Sequence, residues 1–213
     1  MATSIEGFVQ QLAVGYVAHG YWFYVTGWIP EDKDSCKIDE KLIQQYGVDV
    51  SKWTRCRRKK AGLANVQYLR YERFFLLLAT HGPHWFFAEE PYFDDLREKP
   101  IEFAGYSIGC RCGQDERYHA SVRLSRGRWK TLCSHFAWLA LRPDASDVAA
   151  AFRALRVAPY APVRRQLCQL LRQVNRRRKA AHLERIPVSV LRLRRSPVAP
   201  FRERTPAMGE TGD

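Results

Sequence analysis

The chain has 213 residues, with 35 Lys and Arg against 22 Asp and Glu, so its formal net charge is +13. Hydrophobic residues make up 46% of it and aromatic residues 13%, which excludes a wholly disordered chain. No apolar run reaches the roughly 18 residues that a membrane-spanning helix needs, which excludes a helical membrane protein. The first residues lack the basic and apolar pattern of a secretory signal, so we expect a cytoplasmic protein.

The first half of the chain predicts helices that alternate with aromatic and apolar strands. Polar residues at capping positions mark the helix starts: Ser4, Asp34, and either Asp49 or Ser51. The second strand of a hairpin is continuously apolar, which is typical of a central strand buried on both faces. The predicted elements are a helix over 5–17, a strand over 20–30, helices over 35–46 and 52–60, and a hairpin of strands 66–70 and 74–80.

The second half predicts two strands and then three helices. The predicted elements are strands over 101–108 and 118–124, helices over 128–141, 146–155 and 161–181, and a strand-like piece over 188–193. This order predicts an α+β fold, in which a mostly antiparallel sheet is packed with helices. We expect an α+β body of residues 1–158, a basic helical C-terminal region of residues 159–195, and a flexible tail of residues 196–213 with the composition of a disordered segment.

Positive charge is concentrated in two segments of the chain. Residues 164–204 hold 13 Lys and Arg against two acids, and a second cluster surrounds Trp53. Charges of one sign destabilise a protein through mutual repulsion unless a polyanion binds to them. The planar guanidinium group of Arg can bind a phosphate through two hydrogen bonds. We therefore expect nucleic acid, DNA or RNA, as the partner rather than a membrane or an acidic protein. The predicted contact residues are Lys52, Trp53, Arg55, Arg57, Arg58, Lys59, Lys60, Arg164, Arg165, Arg172, Arg176, Arg177, Arg178, Lys179, Arg192, Arg194 and Arg195.

Cysteine usage and sequence motifs predict no bound cofactor. The closest cysteine pair, Cys110 and Cys112, shares one strand face, but no second pair follows at the spacing of zinc ligands. We expect reduced thiols, as in cytosolic proteins. The chain has neither a phosphate-binding loop nor a dinucleotide-binding glycine motif.

His81 and His84 are the candidate metal ligands. They follow directly after the most apolar strand, where loops carry functional groups on a rigid scaffold. With Glu89, Glu90 or His119 they offer the imidazole and carboxylate groups that bind Mn²⁺, Mg²⁺ or Zn²⁺. The alternative is an ordinary turn that holds two histidines and no metal.

The order of elements over residues 20–175 resembles that of HUH nucleases, which include plasmid replication initiators, relaxases and single-tyrosine transposases. In that family a central strand carries two histidines around one hydrophobic residue, and a downstream tyrosine attacks the phosphodiester. The resemblance implies a divalent metal at His81 and His84, with Tyr160 as the catalytic nucleophile. Here Gly82 and Pro83 separate the two histidines, so only a turn brings both imidazoles together.

The aromatic strand that contains residues 21–24 allows a further mode of binding. In RRM-like sheets, exposed strand aromatics stack on unpaired bases, and each stacked base contributes about 1–3 kcal/mol. Tyr68 and Tyr106 are candidates for the same surface. The alternative is that helices cover both faces of the sheet and these aromatics belong to the core. The predicted sheet is therefore ferredoxin- or RRM-like, or HUH-like.

The Arg-rich composition and the strand over residues 20–27 resemble small basic proteins of bacterial mobile elements. From this we expect an accessory protein that holds DNA or RNA for a larger enzyme or a ribonucleoprotein complex. A divalent-metal-dependent endonuclease or transposase is the first alternative. A structural RNA-binding component of a ribonucleoprotein, which recognises shape and has no catalysis, is the second.

Overall fold

The computed structural model of the protein describes residues 1–196 and 198–201. These residues form helices and two antiparallel sheets, of four and three strands, so the predicted α+β class is confirmed. The chain divides into two compact units, the first built from residues 1–95 with 198–201 and the second from residues 96–196. The boundary thus falls at residue 95 rather than at the predicted residue 158, and the basic helix belongs to the second unit.

The first unit contains the predicted helices and hairpin, together with two short elements that the sequence did not indicate. Its elements are helix α1 (Ile5–Gln10), continued by π-helical residues Gln11–Tyr16 and a 3-10 turn at Val17–His19, then β1 (Phe23–Trp28), α2 (Ser35–Gln45), α3 (Lys52–Lys60), β2 (Val66–Tyr71), β3 (Phe74–Ala79), α4 (Phe86–Glu89) and β4 (Asp94–Asp95). The side chains of Ser4, Asp34 and Ser51 cap α1, α2 and α3, as predicted.

The four strands of the first unit lie in the order β2-β3-β1-β4, and every neighbouring pair is antiparallel. Helices α2 and α3 connect β1 to β2, and α4 connects β3 to β4, so two split βαβ units interlock. This is the connectivity of the ferredoxin-like arrangement. Strand β3 lies in the middle, and Leu76, Leu77 and Leu78 are fully buried, which confirms the predicted central strand.

Helices cover both faces of this sheet. On one face, Leu77 and Ala79 pack with Tyr46, which follows α2, and with Phe86 of α4. On the other face, Phe8 of α1 packs against the rings of Tyr71 and Phe74, at centroid distances of 6.4 and 5.9 Å. Of the two alternatives for the strand aromatics, the structure therefore has the one in which they belong to the core.

The short segment at residues 198–201 also packs on the first unit. The backbone of Val198 exchanges hydrogen bonds with the side chain of Gln10, and the Pro200 carbonyl accepts from the Thr3 amide at 3.0 Å. These residues fall in the segment that we expected to be a flexible tail. Of that predicted tail, residues 197 and 202–213 lie outside the described residues.

The second unit combines the three-stranded sheet with three helices. Its elements are β5 (Ile101–Phe103), β6 (Tyr106–Cys112), β7 (Tyr118–Leu124), α5 (Arg126–Leu139), α6 (Ala145–Arg153), α7 (Ala161–Ala180) and a 3-10 turn at Val188–Val190. The predicted strand over 188–193 is therefore wrong. The predicted single strand over 101–108 is also wrong: it is a hairpin that turns at Ala104 and Gly105, where φ is +47° and +78°.

Helix α7 docks on strand β7 and on α5. Its buried stripe consists of Val163, Leu167, Leu170, Leu171, Val174 and Arg178. Strand β7 is an edge strand, and the side chain of Gln166 makes hydrogen bonds that a neighbouring strand would otherwise make. The Gln166 amide oxygen accepts from the Leu124 amide at 2.8 Å, while its nitrogen donates to the Leu124 carbonyl at 3.4 Å. Gln166 thereby satisfies the backbone of the last residue of this edge strand.

Arg178 is a core residue and not a phosphate contact, which corrects the prediction from sequence. Its side chain is fully buried and donates to four backbone carbonyl oxygens, those of Ala140, Arg142, Pro143 and Glu184. These carbonyls belong to the end of α5, the segment after it, and the loop beyond α7. The guanidinium group therefore ties three segments of the second unit together.

We expect Arg178→Ala to lower the free energy of unfolding by about 3–5 kcal/mol, because four carbonyl oxygens lose their donor and a cavity opens. Urea unfolding followed by circular dichroism measures the loss. Arg177→Ala is the matched control, since Arg177 is exposed, and we expect it to change the value by no more than about 0.5 kcal/mol. Equal losses in the two variants would contradict a core role for Arg178.

Candidate nucleic-acid interface

One side of helix α7 is an exposed cationic stripe. Arg165, Arg172, Arg176 and Lys179 are separated by seven, four and three residues, so they share one side of the helix, opposite the buried stripe. All four are exposed, and none forms an ion pair with a carboxylate of the described residues. At a rise of about 1.5 Å per residue, the stripe is about 21 Å long.

The stripe begins beside two arginines of the second sheet. Arg111 of β6 and Arg123 of β7 point to the same sheet face, since Arg111 pairs with His119 and Arg123 with Ser107. They line a cavity of about 440 Å³ beneath residues 96–100, where Glu98 is the one acidic lining residue. Together with the stripe these residues form what we call the arginine tract: Arg111, Arg123, Arg165, Arg172, Arg176 and Lys179.

The three guanidinium groups at the start of the tract repel one another. Burial lowers the pKa of Arg123, and the charges of Arg111 and Arg165 lower it further. The Nε atom of Arg123 is buried and has no hydrogen-bond partner among the described residues. A buried donor without an acceptor and three crowded positive charges are both costly, and a bound anion relieves both costs.

Helix α3 in the first unit carries the second cationic cluster on two different sides. Trp53, Arg57 and Lys60 share the outer side at spacings of four and three, and the Trp53 side chain is 77% exposed. Lys52, Arg55 and Lys59 share another side. The helix buries none of its residues. Its last turn is wholly basic, and these cations interact favourably with the negative end of the helix dipole.

Arg58 of α3 faces residues 81–84, which we call the histidine loop. Its Nη1 atom is buried without a hydrogen-bond partner in the described part of the chain. Burial of the His84 imidazole lowers its pKa, and the positive charge of Arg58 lowers this pKa further. Arg58 is half-buried, as Arg55 is, whereas the other basic residues of α3 are exposed.

The other predicted contact residues occupy varied positions in the second unit. Arg164 and Arg177 are exposed, and Arg164 donates to the Pro159 carbonyl at 3.1 Å. Arg192 and Arg194 are exposed. The guanidinium group of Arg195 lies over the ring of Tyr160, 4.8 Å from its centroid. The arginines that complete the tract, Arg111 and Arg123, were missed from sequence, because only strand register shows that they share a face.

The chain bends at Gly82 within the histidine loop. Gly82 has φ +125°, and a Cβ atom there would lie 2.2 Å from the Gly62 carbonyl oxygen. The Nδ1 atom of His84 accepts a hydrogen bond from the Phe86 amide at 3.0 Å, so its Nε2 atom alone is left to bind another group. His81 is exposed, beside the ring of Phe23.

Two of the other residues of the predicted metal site have partners of their own. Glu90 accepts from the Tyr46 hydroxyl at 2.6 Å, and His119 of the second unit pairs with Asp115 at 2.9 Å. Across residues 1–196 and 198–201, no three His, Cys, Asp or Glu side chains are grouped as metal ligands would be. The metal site at His81 and His84 stays a prediction from sequence.

Tyr160, the predicted nucleophile, precedes α7 in the second unit, whereas the two histidines belong to the first. Burial raises the pKa of its hydroxyl, which a hydrogen bond with Arg195 and the charge of Arg195 partly oppose. The phenol of Tyr160 is therefore neutral and half-buried, and it packs against the guanidinium group of Arg195. The catalytic role of Tyr160 stays a prediction.

Comparison with known proteins yields no match to a family model, a curated protein or a solved structure. The similarities to HUH nucleases and to proteins of mobile elements therefore stay predictions from sequence. In the part of the chain that the structure describes, no helix combines the length and the apolar character that crossing a membrane requires. The geometry of the basic surfaces is what bears on function.

We expect Arg123→Met to raise the free energy of unfolding of the unbound protein by about 1 kcal/mol at low salt, because it removes repulsion and an unpaired buried donor. The gain should shrink as salt screens the charges. Urea unfolding at two salt concentrations measures both effects. Arg185→Met is the control for loss of an exposed charge, and a destabilised Arg123→Met protein would contradict the expectation.

Proposed function

We propose that the protein binds nucleic acid, and that the arginine tract of the second unit contacts its phosphates. The observation that carries the proposal is the buried, unpartnered Nε atom of Arg123 within a cluster of three guanidinium groups. Such a cluster is stabilised when an anion binds, and guanidinium groups bind phosphate oxygens with paired hydrogen bonds.

The length of the tract favours a polymeric anion. Its helical part extends over about 21 Å, with cations about 4.5–10.5 Å apart along the axis. A single phosphate contacts one or two such groups, whereas a strand with a phosphate at every nucleotide contacts all of them. The tract has few hydrogen-bond acceptors, so contacts to the backbone rather than to base edges would dominate the binding.

The outer side of α3 supports contact with unpaired nucleotides. An exposed Trp53 between Arg57 and Lys60 combines a stacking surface with two cations, which is the usual pairing in proteins that bind single strands. The role that we propose is that of a cytoplasmic accessory protein of a mobile genetic element, which holds DNA or RNA for a larger enzyme.

We expect binding of a labelled oligonucleotide to weaken by about 10³ or more between 50 and 200 mM salt. The triple variant Arg165→Gln, Arg172→Gln, Arg176→Gln should bind more weakly at every salt concentration, since it removes three phosphate contacts. The slope of log affinity against log salt should fall by about 2–3. Fluorescence anisotropy with single- and double-stranded DNA and RNA measures the slope for each ligand.

The matched control removes the same charge from another helix. Lys33, Lys37 and Lys41 are exposed on and before α2, and their replacement by Gln should leave the slope within about one unit of the wild-type value. A flat salt response of the wild-type protein would overturn the proposal. Equal losses in the two triple variants would show that net charge, and not the tract, governs binding.

A further inference from the structure

A cavity of about 460 Å³ in the first unit has the features of a ligand site that the sequence did not indicate. The π-helical residues 11–16 form one wall, and α3 forms another. Cavities of this volume are typical of small-molecule sites, and short π-helical segments are frequent at functional sites.

The wall formed by α3 is cationic. Lys52, Arg55 and Lys59 are spaced by three and four residues, so they lie on the one side of the helix that lines the cavity. Lys59 donates to the carbonyl of His19, which also lines the cavity, at 3.5 Å. No acidic residue is among those that line the cavity. The ligand that this wall selects is therefore an anion.

Asn65 adds an acceptor to the same cavity. The residue is 3% exposed, and its Oδ1 atom has no hydrogen-bond partner among the described residues. Its Nδ2 atom donates to the Arg55 carbonyl at 3.1 Å, which fixes the orientation of the amide, because a carbonyl oxygen accepts only. The backbone of Asn65 is held by Thr80 on both sides. A ligand that fills the site should therefore present an N–H or O–H donor to this oxygen.

Two tyrosines provide an aromatic surface in the cavity. The rings of Tyr16 and Tyr21 lie 5.6 Å apart at an interplanar angle of 58°, and both residues line it. Burial raises the pKa of each hydroxyl, so both phenols are neutral at ordinary pH. A flat ring system can pack against such a pair, whereas a simple inorganic anion gains nothing from it.

We propose that this cavity binds one nucleotide, with its phosphate at Lys52 and Lys59 and a donor group of its base at the Oδ1 atom of Asn65. A nucleotide joins the three properties that the walls select, namely negative charge, an N–H donor and a flat ring. The nucleotide is either free or the unpaired end of a strand. The choice of a nucleotide over other anions rests on the proposed function.

Cys56 provides a direct reporter of occupancy. It is exposed and lines the cavity, while Cys36 on α2 is exposed and does not. We expect AMP or CMP to slow alkylation of Cys56 by iodoacetamide at least about fivefold, with Cys36 unaffected, as measured by mass spectrometry of the wild-type chain. Inorganic phosphate at the same concentration should not protect Cys56, because it engages neither Asn65 nor the tyrosines.

Variants on two helices of the first unit test the geometry. Lys52→Gln with Lys59→Gln should weaken nucleotide binding by about tenfold, since each ammonium group gives a charge-assisted hydrogen bond. Lys37→Gln with Lys41→Gln removes the same charge from α2, which does not line the cavity, and should leave nucleotide binding unchanged. Equal losses, or protection by phosphate as strong as by the nucleotides, would overturn the proposal.

Two further ligands and one variant separate this site from the arginine tract. If a short single strand protects Cys56 at a lower concentration than AMP does, the bound nucleotide is the end of a strand. If AMP protects at the lower concentration, the ligand is a free nucleotide. The Arg165, Arg172 and Arg176 triple variant should keep full protection by AMP. If the salt dependence contradicts the role of the tract while AMP still protects Cys56, the cavity proposal holds without the tract. If no nucleotide protects Cys56, the cavity proposal is wrong, and the proposal for the tract is unaffected.

Discussion

The docking of helix α7 on the second sheet determines where the charge of that unit lies. Because the apolar stripe from Val163 to Val174 faces β7, the residues opposite to it must point outward, and these are mostly arginine. Arg178 completes the contact from inside by bonding to four carbonyl oxygens. A rotation of the helix about its axis would bury cations and expose leucines, so packing alone fixes the direction of the cationic stripe.

The same docking creates a conflict between stability and binding. Arg165 comes close to Arg111 and Arg123, and none of the three has a carboxylate partner among the residues described. A protein selected for stability alone would place an acid or an apolar side chain at one of these positions. The cluster fits the proposed phosphate site, where a bound anion would offset the repulsion.

Local features of the sequence predicted most of the elements but not their environment. Ser4, Asp34 and Ser51 act within a few residues, so their capping roles were readable, and the apolar run of β3 identified the central strand. The turn at Ala104 could not be predicted from the sequence, since a non-glycine residue seldom adopts a positive φ.

The candidate sites were predicted only in part, for a related reason. The basic residues of α7 were visible as a charge run, yet Arg178 looks like its neighbours until the position of α5 is known. Arg111 and Arg123 are twelve residues apart, and only the pairing of β6 with β7 brings them to one face. Asn65 carried no signal at all, because its significance comes from a hydrogen-bond partner that it lacks.

Helix α1 has a consequence for how the first unit can recognise a ligand. Its packing through Phe8 occupies the sheet face on which RRM domains lay out their bases. The strands are thereby reduced to a scaffold, and any selectivity for one base over another has to reside in the helices and loops around the sheet. Apolar strand residues are then constrained by volume and shape and can change among apolar types, whereas Tyr68 and Arg70 of β2 are fixed by hydrogen bonds to Asp39 of α2.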